Sequence, residues 1–216
     1  MTGLKLAAAL VCVLYGGWEC IRRKQPLFFK LLLYAMASYL LGTLFTAGYA
    51  LVYGHEPEGF HVGILGYMGT YFFLLSSYYG AINRLADGGE ARYRGYRLAA
   101  ASGPLLVLVL LAPSVRTGAG ACLTYALLCL PIAPTLYFSI KHLILPDVDL
   151  GIIRVMRPYN ACVIVFCMVQ VLLQAPACTG LDIRAAGSVL SSVLLMTLLP
   201  MAEMGVRKWF IYYFSV

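Results

Sequence analysis

Long apolar runs alternate along this chain with short clusters of charged and turn-forming residues. The runs fall at about 4–18, 26–53, 60–83, 98–112, 120–140, 152–173 and 185–201. A stretch of about 18 or more apolar residues with few charges is long enough to cross a bilayer as a helix. The first run is short, and the lysine before it and RRK after it reverse the charge order of a secretory signal. It is therefore counted as a span. The pattern predicts an all-α fold, a polytopic bundle of seven transmembrane helices forming one domain over residues 1–216.

Composition sharpens this. The chain is 62% hydrophobic and 12% charged, with a mean hydropathy of +0.83. Soluble domains carry about 25% charged residues, so a lipid-facing exterior is required. The net charge of +7 does not point to nucleic acid, because the basic residues sit in short clusters between apolar runs. Their order encodes topology. With the amino terminus outside, the inner segments hold Arg22, Arg23, Lys24, Lys30, Arg84, Arg92, Arg94, Arg97, Lys141, Arg154, Arg157, Arg207 and Lys208. Only Lys5, Arg116 and Arg184 remain outside. A wrong span count would scramble this alternation, so the positive-inside rule supports seven spans with a cytoplasmic carboxyl terminus. Aromatics near many predicted ends, such as Trp18, Tyr53, Phe60, Tyr96 and Trp209, fit an interfacial belt.

The polar residues inside the spans are mostly small or aromatic. On a helical wheel of the third span, Tyr67, Tyr71 and Tyr78 share a stripe beside Gly63, Gly66, Thr70 and Ser77. Ile64, Leu65, Met68, Phe72, Leu75 and Tyr79 occupy the opposite side. The second span clusters Ser38, Tyr39, Gly42 and Thr46 in the same way, and the seventh pairs Gly187 with Ser191 and Ser188 with Ser192. Two roles fit that inward face. Ser38, Gly42, Thr46, Gly63 and Thr70 suit close helix packing in lipid, with tyrosine hydroxyls bonding across the seam. Tyr39, Tyr67, Tyr71, Tyr78, Ser77, Ser188 and Ser192 would line a ligand pocket between spans two, three and seven.

Chemistry-bearing constellations are scarce. No acid, base or histidine lies near a span centre, which weighs against ion-coupled transport and proton relay. Glu19 and Glu203 lie near the inner interface, each within reach of an arginine. HEPEGFH (55–61) lacks the HExxH spacing of a zinc helix, and Pro57 breaks helical geometry. No motif calls for a metal or a cofactor, and no catalytic set assembles inside the spans; the chain is not expected to be an enzyme. Pro131 and Pro134 are expected to kink the fifth span. Gln170, Gln174 and Asn160 are expected to bond neighbouring helices. Cys122 and Cys178 are the two cysteines at the outer surface, so a disulfide between them is open.

The seven-span layout, with outer amino terminus and short loops, resembles the sensing regions of some bacterial histidine kinases and cyclases. The resemblance covers architecture alone and carries over no residue. It implies a multi-pass protein of the bacterial inner or plasma membrane. The chain stops at KWFIYYFSV without a kinase or cyclase domain. A signalling role would then need a cytoplasmic partner at the basic inner loops, 84–97 and 141–157. The alternative is a small transporter or channel subunit for an uncharged substrate, or a membrane component of a larger complex. Reporter fusions at the two chain ends should fall on opposite sides of the membrane; finding both on one side would remove the seven-span topology.

Overall fold

The computed structural model describes residues 2–79, 90–112, 119–146, 152–174 and 181–214. It is helical, with no strand among the described residues. The helices are α1 (Thr2–Arg22), α2 (Leu27–Tyr53), α3 (Val62–Ser77), α4 (Arg94–Ala100), α5 (Ser102–Leu111), α6 (Ala119–Ile144), α7 (Ile152–Gln174) and α8 (Leu181–Phe214). Among the described residues five helices, α1, α2, α6, α7 and α8, contain stretches long and apolar enough to cross a membrane, and α3 is a shorter apolar helix. This is the composition of a helical membrane bundle.

Local chemistry sets the ends. Gly54 closes α2 at φ +78, where its N–H bonds the Ala50 carbonyl; this left-handed position favours glycine. Pro26 precedes the first residue of α2, where a missing N–H costs nothing. The fourth predicted run is divided at Ala101 into two short helices. Pro104 explains the break, because it has no N–H to offer the Ala100 carbonyl. By contrast α6 continues through Pro131 and Pro134 as one helix. The Thr135 hydroxyl donates to the Pro131 carbonyl at 2.7 Å there.

Packing order differs from chain order. Helices α1, α2, α3, α6, α7 and α8 each pack on the next, and α8 returns to α1 to close a ring. Helices α4 and α5 lie outside it against α6. Leu105, Leu108 and Val109 of α5 are exposed, as are Leu14, Trp18 and Ile21 of α1, Leu41 of α2 and Leu65, Phe72 and Tyr79 on the α3 side. Bulky apolar side chains thus cover the outside, as a lipid-facing surface needs. Ile64, assigned by the wheel to that outer face, is instead buried. It sits in the first turn of α3, beside the point where α2 approaches most closely.

At that approach the two helix backbones meet. A methyl group built on Gly66 would lie 2.5 Å from the Gly42 nitrogen, 2.7 Å from its Cα and 2.8 Å from the Ser38 carbonyl oxygen. One on Gly42 would lie 2.8 Å from the Gly63 carbonyl oxygen. Backbone meets backbone, which only small residues permit and which supplies dispersion contact where lipid offers no hydrophobic drive. Thr43, Thr46 and Thr70 sit in or beside this seam. Each hydroxyl donates to a carbonyl in its own helix, at Tyr39 and Leu40, Gly42 and Gly66, and Thr46 Oγ1 also lies 3.4 Å from the Tyr67 hydroxyl across the seam. A hydroxyl three or four residues beyond a carbonyl reaches it without any partner helix.

The opposite end is tied by charge. The buried Glu203 carboxylate of α8 accepts from the Tyr15 hydroxyl at 2.5 Å, from Arg23 at 3.3 Å and from Arg207 at 2.6 Å. Arg23 also stands 3.9 Å from Glu19. The two acids expected to meet arginines therefore share Arg23, and this network joins α1 to α8.

Gly66→Ala should lower the melting temperature in detergent, because the methyl must displace α2 backbone; overpacking of this kind costs about 1–3 kcal/mol. Gly17→Ala, whose methyl would meet nothing within 4 Å, should leave melting unchanged. Equal melting of both variants would remove the α2–α3 seam as the basis of packing.

Candidate functional site

The end of the bundle that carries His61 opens into a cavity of about 670 Å³, within the range of small-molecule sites. Its walls come from most of the ring. Tyr39 and Thr46 project from α2, Tyr67 and Tyr71 from α3, Leu128 and Ile132 from α6, Gln170, Leu173 and Gln174 from α7, and Ser188 from α8. Thr2, Lys5, Glu56, His61 and Arg184 stand toward the loops.

The seam between α2 and α3 places the tyrosines. Because the two backbones touch at Gly42 and Gly66, side chains flanking the seam must turn aside together. The rings of Tyr39 and Tyr67 meet edge-on with centroids 5.2 Å apart, and the Tyr67 hydroxyl lies 3.4 Å from Thr46 Oγ1. Gln170 of α7 donates through Nε2 to Ser191 Oγ of α8. Tyr39 of α2 lines the same cavity as Gln170. Three helices thus supply uncharged hydrogen-bonding groups at or beside the cavity wall.

Beyond Tyr71 the bundle is filled. Leu74, Ser77, Tyr78, Phe166 and Cys167 are fully buried, and Phe166 packs against both Tyr39 and Tyr71 with centroids 6.4 and 6.1 Å away. The Tyr78 hydroxyl donates to Asn160 Oδ1 at 2.8 Å. The cavity therefore reaches inward from one end and meets packed aromatic side chains.

Of the pocket residues expected from sequence, Tyr39, Tyr67, Tyr71 and Ser188 line this cavity, while Ser77, Tyr78 and Ser192 do not. Tyr78 shares a stripe with Tyr71 but lies about two turns deeper, where Asn160 takes its hydroxyl. Ser77 donates to the Leu74 carbonyl at 2.6 Å and Ser192 to the Ser188 carbonyl at 2.8 Å, so both hydroxyls are used within their own helices. Of the packing residues, Ser38, Gly42 and Gly63 lie at the α2–α3 backbone contact, and Thr46 and Thr70 border it.

Lys5, Glu56, His61, Gln170 and Arg184 also line the cavity, and helical periodicity does not mark them. Periodicity within one helix marks its inward face, but it cannot reveal which loop or helix end closes over that face. The residues of HEPEGFH diverge. His55 Nδ1 lies 3.0 Å from the Glu56 carbonyl oxygen, and His61 stacks on Phe45 with centroids 5.7 Å apart. Burial lowers the His61 imidazole below its ordinary range. Among the described residues no group of three or more His, Cys, Asp or Glu converges as metal ligands would. Cys178, the proposed partner of Cys122, lies outside the described residues, as do parts of both basic loops proposed for a cytoplasmic partner.

No protein-family model, no curated protein and no solved structure matches this chain.

Tyr78→Phe should lower stability by about 1–3 kcal/mol, because Asn160 Oδ1 would stay buried without its donor. Asn160→Leu combined with Tyr78→Phe should recover part of that loss. Thermal melting of the purified variants checks both, and an unaltered Tyr78→Phe protein would show that the bond carries no weight in closing the bundle.

Proposed function

We propose that this chain is a seven-helix membrane module that binds a small ligand in the His61-end cavity and acts through a cytoplasmic partner. In this reading α4 and α5 together make the fourth span. The His61 end then faces outward, because the described basic residues concentrate at the Glu203 end. The observation that carries the reading is the one-ended cavity: polar walls open toward the loops, and buried aromatic side chains fill the bundle beneath them. A binding module needs a site reached from one side and a bundle that transmits occupancy. Helix α8 suits transmission. It contributes Ser188 to the cavity and Glu203 to the network at the other end, and at 34 residues its length of about 51 Å exceeds the apolar thickness of about 30 Å. Binding in place of catalysis fits the uncharged floor, which offers hydrogen bonds without a nucleophile held beside a base.

The test is access. Ser188→Cys, in a background with Cys122 and Cys178 replaced by serine, should react with a membrane-impermeant maleimide from the outside of intact cells. It should stay unreactive in inside-out vesicles. Labelling from both faces would replace the binding module with a transporter, and labelling from the inside alone would overturn the orientation.

A further inference from the structure

The cavity's polar groups are sorted by depth, and the sorting describes what it can hold. Among the described residues, the charged lining residues come from the loop-proximal segments: Lys5 near the start of α1, Glu56 in the α2–α3 loop, and Arg184 near the start of α8. Deeper lining residues are uncharged: Tyr39, Tyr71, Gln170 and Ser188, with Leu128 and Ile132 between them. On α2 the lining runs from Thr46 to Tyr39, seven residues, or about 10 Å of depth at 1.5 Å per residue. Arg184 and Ser188 lie one turn apart on the same face of α8, so a group held by Arg184 has an uncharged wall directly below it.

The charges at the mouth do not balance among the described lining residues. Glu56 is the one carboxylate among them and accepts from the Thr2 hydroxyl, and Lys5 is one cation. Arg184 adds a second cation. A cationic ligand would meet two like charges at the entrance. A guanidinium fork at the mouth suits a planar anion such as a carboxylate. The tyrosine edges and the α6 aliphatic side chains suit a short aromatic or aliphatic body.

We infer that the cavity takes a small monoanionic amphiphile, its carboxylate held at the mouth by Arg184 and Lys5 and its uncharged body seated against Tyr39, Tyr71 and Ile132. This rests on the cavity being the ligand site proposed above and adds the ligand's chemical class. The depth limits the body to about 10 Å, two helical turns.

The experiment uses the full chain in lipid nanodiscs and two matched pairs of probes: phenylacetate against phenylacetamide, and hexanoate against hexanamide. At least one carboxylate should raise the melting temperature saturably, while its amide at equal concentration should not. Arg184→Gln, at an exposed position and so compatible with folding, should weaken the carboxylate effect about tenfold or more. Lys24→Gln, at the opposite end, should leave it intact. Equal stabilisation by acid and amide would overturn the carboxylate assignment while leaving the cavity as a ligand site. An Arg184→Gln protein that responds like the parent would overturn the placement of the head. No response to any of the four probes would overturn the inferred class, and maleimide access to Ser188→Cys would still decide separately whether the cavity opens outward.

Discussion

Helix α2 and helix α3 touch through their backbones, and the rest of the bundle is arranged around that contact. Gly66 leaves no room for even a methyl group against Gly42, and Gly63, one turn away on α3, meets the same residue. In a hydrocarbon medium helices gain nothing from hiding apolar side chains, so association must come from contact at short range. Once the two axes are this close, side chains bordering the seam are forced sideways. Tyr39, Tyr67 and Tyr71 leave on the same side and become a wall. The cavity is thus a by-product of that backbone contact.

Polar groups in the spans divide by reach. Short hydroxyls turn back onto their own helices, as Thr43, Thr46, Thr70, Ser77, Thr135, Ser139 and Ser192 do. Apart from Thr46, whose Oγ1 also lies 3.4 Å from the Tyr67 hydroxyl of α3, these find acceptors within their own helices and fix no helix order. Longer side chains join neighbours, as Gln170 reaches Ser191, Tyr78 reaches Asn160 and Tyr15 reaches Glu203, and the Cys12 thiol adds a bond to the Leu195 carbonyl. Each would leave a buried polar atom unpaired if its neighbour were wrong. Specificity of the ring thus rests on a few long-reach bonds, while its compactness rests on glycine and serine.

Charge divides the two ends by kind as well as number. At the Glu203 end, Arg23 and Arg207 close on one buried carboxylate and hold the first helix to the last. At the His61 end the described charges border a cavity. One end suits holding helices together and the other suits admitting something small.

Much of the fold was legible from residue order alone. The apolar runs located the helices, and the placement of small residues and tyrosines in the second and third runs marked their inward faces, because helical period is a local property. Four of the seven expected pocket residues line the cavity for that reason. The rest required the tertiary structure. That α4 and α5 stand outside the ring, that α6 and α7 complete the wall, and that Ser77 and Tyr78 fall below the cavity floor all depend on which helices become neighbours. Neighbour choice is set by long-range fits such as Gly66 on Gly42 and Gln170 on Ser191, and no periodicity within a single helix records them. The sequence by itself determined rods, their inward faces and the segregation of charge between ends; the tertiary structure decided where those faces leave a space, because a cavity belongs to several helices at once.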